Sequence, residues 1–172
     1  ALAKIIDVVS QTTQTPIIPA VQAIDLKEIC DVVSTDVWVQ DIDPITFGAH
    51  TGQTLAEEAV RIGATGTLLN HSENKYKDLE ALQYAVSHAK QVGLKTLVFA
   101  SDMAELEKIL AFAPDFASYE PPEFIGSTTT SVATEKPEII SQAAQVCKKA
   151  GIPLIVGAGI HSQEDVKKSV EL

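Results

Sequence analysis

The sequence is poor in aromatic side chains, in cysteine and in basic residues. Its 172 residues include two cysteines, one methionine and one tryptophan, and only 5% of them are aromatic. Lys and Arg number 13 against 23 Asp and Glu, which gives a formal charge of −10 at pH 7. Such a chain repels phosphodiester backbones and anionic bilayer surfaces. Nucleic acid and membranes are therefore not expected as partners.

The chain also lacks long apolar runs and metal-binding patterns. No apolar stretch approaches the roughly 20 residues that a helix needs to cross a bilayer, and the first residues do not resemble an export signal. Cys30 and Cys147 are far apart in the sequence and fit neither a CxxC motif nor a Cys/His metal spacing. We expect a cytoplasmic protein with two buried, reduced thiols and no metal; a disulfide is the alternative for the thiols.

Short β-branched runs alternate with longer amphipathic runs along the whole chain, which predicts parallel strands joined by helices. A chain that is 45% hydrophobic can bury a core, and we expect a single domain over residues 1–172. The predicted strands are Pro16 to Gln22, Val37 to Ile42, Thr67 to Asn70, Thr96 to Ala100, Phe116 to Glu120 and Leu154 to Gly157. The predicted helices are a first one from Ala1 through Val9, then Leu26 to Val33, Thr54 to Ile62, Leu79 to Val92, Ala104 to Ala111, Pro137 to Ala150 and Ser162 to Leu172.

The predicted strands suggest where function would lie. Near-continuous apolar strands such as Leu154 to Val156 predict burial on both faces, as in a sheet covered by helices. Several strands end in polar residues, which is where both barrels and doubly wound sheets place their chemistry. Neither GxGxxG nor GxxxxGK is present, so we favour the barrel.

Two strand ends carry candidate catalytic residues. His71 follows one strand in the segment Asn70-His71-Ser72-Glu73 and leads towards a helix, whose amino terminus would keep the imidazole neutral. Glu120 ends another strand and precedes Pro121-Pro122 and the polar loop Gly126 to Ser131, a rigid shoulder beside a segment that could close as a lid. Taken singly, each residue is more often structural, the His as a hydrogen-bond partner and the Glu as a solvated carboxylate.

Together these segments resemble the triosephosphate isomerase family, and its archaeal branch in particular. The similarity extends from the first residue to the last, in the family's order and nearly at its spacing. Its motifs are Asp41-Ile42-Asp43-Pro44 with Gly48-Ala49-His50-Thr51-Gly52, Gly66-Thr67-Leu68-Leu69-Asn70-His71-Ser72-Glu73, Glu120-Pro121-Pro122-Glu123 and Gly157-Ala158-Gly159-Ile160. The resemblance implies an α/β fold of the TIM (β/α)8-barrel family, here an incomplete barrel with about six parallel strands.

The resemblance also implies a reaction, the interconversion of dihydroxyacetone phosphate and D-glyceraldehyde 3-phosphate without a cofactor. Glu120 would remove a proton next to the substrate carbonyl, and neutral His71 would polarise that carbonyl and shuttle protons between the two oxygens. Family analogy gives supporting roles to further residues: Gly126, Gly157, Ala158 and Gly159 would bind the phosphate through backbone amides, Glu73 would orient charged groups, and His50 and Thr51 would lie in a loop that docks into a second subunit. A helix-start carboxylate is an equally good reading of Glu73.

Two family features have no counterpart in the sequence. The first strand, with an Asn-x-Lys motif, and the eighth strand are not found, and the chain begins without Met inside a helical pattern. If the chain is complete, we expect it to self-associate through its two open sheet edges and to turn over slowly; otherwise, terminal segments are missing. The competing functions are a truncated barrel scaffold with little or no catalysis and another phosphate-binding barrel enzyme.

Overall fold

The computed structural model describes residues 2–121 and 131–172, apart from the side chain of residue 133. It divides into two compact units. The first unit consists of Ala1–Leu69 and Tyr76–Thr96, and the second of Asn70–Lys75 and Leu97–Leu172. The single domain expected from the sequence stays a prediction.

Strands and helices alternate along the described residues, as the sequence predicts, which confirms the α/β class. The strands are β1 (Ala20–Val21), β2 (Trp38–Val39), β3 (Gly66–Leu69), β4 (Lys95–Ala100), β5 (Phe116–Tyr119) and β6 (Leu154–Val156). The helices are α1 (Leu2–Thr13), α2 (Leu26–Cys30), α3 (Ala56–Ile62), α4 (Leu79–Val92), α5 (Met103–Leu110), α6 (Val132–Glu135), α7 (Pro137–Ala150) and α8 (Gln163–Glu171). Among the helices of residues 2–121 and 131–172, the single-turn helix α6 is the one that the sequence does not predict.

In the first unit, β1, β2 and β3 form adjacent parallel strands. Helix α4 is capped at its start by Asp78, whose side chain accepts a hydrogen bond from the amide of Ala81, and at its end by Gly93, whose φ is 97°. An acceptor before the first turn and a left-handed glycine after the last are the usual boundaries of a helix. The buried residues of α4 recur at helical spacing and form one face: Ala81, Leu82, Ala85, Val86, His88 and Ala89.

The pairing of β2 with β3 depends on a glycine. Trp38 pairs with Gly66, and a Cβ added to Gly66 would lie 2.3 Å from Cε2 of the indole ring. That distance is well inside van der Waals contact, so the tryptophan occupies the space that any larger residue at position 66 would need.

In the second unit, β5 pairs in parallel with β4 on one side and with β6 on the other. Helix α7 begins with Pro137, which suits a first helical position, and ends at Gly151 with φ 71°. Helix α8 begins with a capping box formed by Ser162 and Asp165. These helix ends match the sequence prediction to within one residue.

The predicted burial of strands on both faces holds for β4 and is wrong for β6. Every residue of β4 after Lys95 is buried. In β6, Ile155 is 43% exposed and its two neighbours are half-buried. Strand β6 pairs with β5 on one side and is the last strand in the order that the structure describes. Strand β1 is also shorter than predicted, because only Ala20 and Val21 pair with β2.

Three further features bear on function. Within residues 2–121 and 131–172, no helix has both the length and the apolar character that crossing a bilayer requires. Cys147 is buried, Cys30 is half-buried, and both thiols are free. The same residues include no cluster of three His, Cys, Asp or Glu side chains that could hold a metal ion.

Candidate active site

Glu120 lies directly after β5, with its carboxylate largely withdrawn from water. Its amide donates to the carbonyl of Ala100 over 2.9 Å, which holds its backbone beside the end of β4. The side chain is 14% exposed, and Ser118 Oγ lies 3.4 Å from its Oε1. Burial raises the pKa of Glu120, and this effect exceeds the opposing influence of His71 and of the Ser118 hydroxyl. Such a carboxylate is a stronger base than one in water.

Gly157, just after β6, packs against this carboxylate. A Cβ at position 157 would lie 1.8 Å from Oε1 of Glu120 and 2.7 Å from its Cδ. The backbone of Gly157 therefore forms one wall of the space that the carboxylate fills, and only a glycine leaves that space open. The sequence had suggested a phosphate-binding role for Gly157, and its contact with Glu120 is a second reason for glycine at this position.

His71 follows β3 and belongs to the turn formed by residues 70–75. Its Nδ1 accepts a hydrogen bond from the amide of Glu73 over 3.3 Å, so Nδ1 carries no hydrogen and Nε2 is the protonated nitrogen. The ring packs edge-on against Phe99, with centroids 4.9 Å apart. The imidazole is therefore neutral and presents Nε2–H as a donor.

The sequence placed this imidazole beside a helix amino terminus, and that prediction is wrong. The next helix, α4, begins only at Leu79, with Asp78 as its cap. Residues 71–78 form turns and bends instead. The sequence expected a helix amino terminus to keep the ring neutral, whereas in the structure the backbone amide of Glu73, two residues after the ring, donates to Nδ1.

The two predicted catalytic side chains meet in the second unit. Nε2 of His71 lies 3.5 Å from Oε2 of Glu120, and the side chains are 27% and 14% exposed. Glu120 also lines a small pocket together with Ser72, Lys75, Phe99, Ala100 and Ser101. A neutral donor and a partly desolvated carboxylate at this distance can act on adjacent atoms of one ligand.

The turn after β6 contains the other predicted ligand-binding residues of this unit. Ala158 and Gly159 both have left-handed backbones, with φ of 65° and 74°. The carbonyl of Ala158 accepts from the amide of Val132 over 3.3 Å, and the carbonyl of Gly159 contacts Nδ1 of His161. Because C=O and N–H point in opposite directions across a trans peptide, the amide of Gly159 points away from Val132.

Glu73 contacts His71 through its backbone amide, which the sequence did not suggest. Its carboxylate is 83% exposed, with Oε2 3.6 Å from His71 Nδ1, whereas its backbone amide makes the hydrogen bond to the ring. It does not lie at a helix start, because the surrounding residues are not helical. Its predicted role in orienting charged groups stays a prediction.

His50 and Thr51 lie in an exposed loop of the first unit. The loop is closed at its base by Asp43 and Thr54, whose backbones hydrogen-bond over 2.9 Å, and Asp43 Oδ2 also accepts from the amide of Thr54. Phe47, within the loop, is 75% exposed. Gly126 and the rest of the predicted lid up to Thr130 are outside the described residues.

The sequence did not single out a cluster next to His71. Glu105, in the first turn of α5, accepts hydrogen bonds from Asn70, Lys75 and Ser101. A signal was present, because Asp102 and Glu105 have the spacing of a helix cap and its third helical residue. That pattern predicts a helix start, but it does not predict that the carboxylate reaches the turn carrying His71.

A larger cavity of about 430 Å³ lies elsewhere in the second unit and is mainly apolar. Its lining comes largely from α7 and β6, with Ile140, Cys147 and Leu154 among the side chains. It contains no acid–base pair like that of His71 and Glu120. Proton-transfer chemistry is therefore assigned to the strand ends and not to this cavity.

Comparison with known proteins agrees with this geometry. The family model described as triosephosphate isomerase matches residues 1–172. The triosephosphate isomerase of Sulfurisphaera tokodaii is 38% identical over 172 residues, which cover 99% of this chain and 74% of that protein. That of Methanothermus fervidus is 38% identical over 99% of this chain and 77% of its own length. That of Thermoplasma volcanium is 35% identical over 91% of this chain and 71% of its own length. With a match over its full length, this chain belongs to the triosephosphate isomerase family, and the six parallel strands of the described residues confirm an incomplete barrel of the (β/α)8 class.

Proposed function

We propose that this chain catalyses the interconversion of dihydroxyacetone phosphate and D-glyceraldehyde 3-phosphate, with Glu120 as the base and His71 as the electrophile. The observation that carries the proposal is the 3.5 Å separation between Nε2 of His71 and Oε2 of Glu120. Membership of the isomerase family, established over residues 1–172, supports the same reaction.

The separation suits a reaction at two adjacent atoms. A carbonyl oxygen and the carbon next to the carbonyl are about 2.4 Å apart, from bond lengths of about 1.2 and 1.5 Å. A ligand lying beside the pair can therefore receive a hydrogen bond from Nε2–H at its oxygen while Oε2 reaches the neighbouring C–H. Glu120 would take the proton from that carbon, and the electrons of the C–H bond would move into an enediolate whose oxygen is stabilised by His71. His71 would give its Nε2 proton to that oxygen and take the proton of the neighbouring hydroxyl, so that the charge moves to the second oxygen. Return of the carbon-bound proton from Glu120 to the former carbonyl carbon, as the second oxygen becomes the new carbonyl, completes the isomerisation and restores both side chains.

The environment of each group fits its proposed role. Burial raises the pKa of Glu120, which strengthens the carboxylate as a base towards a weak carbon acid. The amide of Glu73 keeps Nδ1 of His71 as an acceptor, so the proton needed at the developing oxyanion stays on Nε2. Because the base and the proton donor are both side chains of this chain, the proposed proton transfers use no cofactor.

The phosphate would bind at the turn after β6. Gly157, Ala158 and Gly159 follow the strand that neighbours the one carrying Glu120, and left-handed residues at 158 and 159 turn the backbone sharply there. In a chain with a formal charge of −10, an anionic substrate needs such local donors. Gly126 is proposed as a further amide donor, and Glu73 as an exposed carboxylate that orients charged groups around the site.

We further propose that the chain works as a homo-oligomer in the cytoplasm. A backbone hydrogen bond between Asp43 and Thr54 closes the loop that contains His50 and Thr51. The same loop carries Phe47, whose side chain is 75% exposed. An exposed aromatic ring on a projecting loop is suited to insertion into a partner surface.

A coupled isomerase assay of the full chain tests the proposal, with Glu120→Ala and His71→Gln as variants and Glu138→Gln as control. Glu138 is an exposed carboxylate in α7. We expect kcat to fall by about 10²- to 10⁴-fold without the base and by about 10²- to 10³-fold without the electrophile. The control should match the wild type. Wild-type activity that survives Glu120→Ala would remove Glu120 from the mechanism, and a wild type without isomerase activity would refute the function.

A further inference from the structure

We infer that Glu105 is a positioning residue for His71: its carboxylate ties both ends of the turn formed by residues 70–75 to helix α5 and so fixes the imidazole between them. The inference rests on the proposed function for its catalytic consequence, whereas the positioning itself follows from contacts within the second unit.

Both oxygens of the Glu105 carboxylate accept hydrogen bonds from more than one donor. Oε1 accepts from Asn70 Nδ2 over 2.8 Å and from Lys75 Nζ over 2.7 Å. Oε2 accepts from Lys75 Nζ over 2.7 Å, from Ser101 Oγ over 2.6 Å and from the Ser101 amide over 2.8 Å. A carboxylate offers about four lone-pair directions, so these five contacts use its full capacity. The side chain of Glu105 is 21% exposed, which protects the contacts from competition by water.

The contact with Asn70 bears directly on the residue that follows it. Asn70 has a left-handed backbone with φ of 63° and is almost completely buried. A residue other than glycine in this region costs about 1–3 kcal/mol and stays there only where contacts with its surroundings offset that cost. The Asn70 amide group donates to the Phe99 carbonyl over 3.0 Å as well as to Glu105, and both partners belong to the same unit. Since His71 is the next residue, loss of this restraint would rotate the imidazole away from Glu120.

The contact with Lys75 holds the other end of the turn. Lys75 and Glu105 form an ion pair in which the side chains are 33% and 21% exposed. Burial alone would raise the pKa of Glu105, but hydrogen bonds from Lys75, Ser101 and Asn70 outweigh it and bring that pKa to about 2. The carboxylate is therefore ionised at every pH at which an isomerase would work, and the restraint on His71 is always present.

Two substitutions at Glu105 and one control test the inference in the full chain. Glu105→Gln keeps the shape but leaves one acceptor oxygen and places an NH2 group against the donors of Asn70 and Lys75. Glu105→Asp keeps the charge on a shorter side chain. Glu107→Gln removes the same charge from an exposed position of the same helix.

We expect Glu105→Gln to lower kcat by about 10- to 100-fold with KM changed by less than about threefold, because a misplaced donor weakens the transition state more than ground-state binding. Glu105→Asp should recover part of that loss, and Glu107→Gln should stay within about twofold of the wild type. A kcat for Glu105→Gln equal to that of the wild type would overturn the inference.

Nitrogen-15 spectra of the His71 imidazole provide a readout that does not depend on activity. In the wild type, the two ring nitrogens should give the separated signals of one fixed tautomer, and in Glu105→Gln those signals should move towards each other as the ring loses its restraint. If the wild type has no isomerase activity but the spectra differ in this way, the proposed function fails and the positioning role stands. Identical spectra in a folded Glu105→Gln protein would refute the positioning role whatever the activity.

A milder variant covers the case in which Glu105→Gln does not fold. Lys75→Met removes one end of the restraint and leaves the bonds from Asn70 and Ser101 in place. It should shift the His71 signals in the same direction by a smaller amount and lower kcat by a few-fold. Unchanged His71 signals in Lys75→Met would then contradict the inference.

Discussion

Replacement of Gly157 by alanine tests the proposed geometry of the base most sharply. The new Cβ would lie 1.8 Å from Oε1 of Glu120, whereas non-bonded atoms normally lie about 3.5 Å apart, so the carboxylate must retreat by roughly 1.7 Å. The backbone of residue 157 is not left-handed, so alanine causes no conformational strain there. A displacement of about 1 Å can cost about 10²-fold in rate, and we expect at least that loss in kcat.

The assay compares kcat, KM and thermal unfolding for the wild type, Gly157→Ala and Gly151→Ala. Gly151 is the matched control: a Cβ there meets nothing within 4 Å, but its φ of 71° makes alanine cost about 1 kcal/mol of stability. Gly151→Ala should therefore lower the unfolding temperature and leave kcat unchanged. Gly157→Ala should lower kcat and leave the unfolding temperature closer to that of the wild type. Full activity in Gly157→Ala would refute the close packing of Glu120 against this glycine.

A double substitution distinguishes the clash from an effect on phosphate binding. Glu120→Asp shortens the side chain by one methylene and withdraws the carboxylate from position 157. If the clash explains the loss, Gly157→Ala should cost less in the Glu120→Asp background than in the wild type, with a coupling of about 1 kcal/mol or more. Equal losses in the two backgrounds, with a raised KM, would instead assign Gly157 to the phosphate site.

The remaining predictions concern stability. Because burial raises the pKa of Glu120, Glu120→Gln should be more stable than the wild type at pH 8, and the gain should vanish as the pH falls below about 4; an equal difference at both pH values would contradict this. Because the pKa of Glu105 is lowered from 4.5 to about 2, its carboxylate stabilises the folded state at pH values above 4.5. That stabilisation is lost as the pH falls towards 2. The stability difference between the wild type and Glu105→Gln, about 1–2 kcal/mol after allowance for exposure, should therefore shrink over that range in denaturant titrations, and a difference independent of pH would refute the assignment. Gly66→Ala should cost about 1–3 kcal/mol by forcing Trp38 aside, as measured by urea unfolding followed through this single tryptophan, and an unchanged midpoint would contradict the contact.

Helix boundaries were the most predictable feature of the fold. Helices α4 and α7 begin and end where the sequence placed them, because Asp78 and Pro137 mark their starts and Gly93 and Gly151 their ends. Capping is a local interaction between neighbours in the chain, so a local pattern predicts it. Strand extents were less predictable, since pairing depends on residues that are distant in sequence; β1 has two paired residues where seven were expected to be extended.

The candidate site shows the same division. The motifs around His71 and Glu120 suggested two catalytic residues, and the fold brings their side chains to 3.5 Å. The sequence attributed the neutrality of the imidazole to a helix amino terminus, but the next helix begins only at Leu79, and the Glu73 amide contacts the ring instead. The hydrogen bond between Glu105 and the turn carrying His71 was not predicted, because its partner Asn70 lies 35 residues earlier in the chain.

By itself, the sequence determined the alternation of strands and helices, the family, and the residue types available for proton transfer. These follow from hydrophobic periodicity and from short motifs, each of which involves neighbouring residues. Only the tertiary structure decided which nitrogen of His71 carries the proton, how closely Gly157 approaches Glu120, and which carboxylate holds the turn between Asn70 and Lys75. Such properties depend on distances of a few ångströms between separate segments, and chain folding sets those distances.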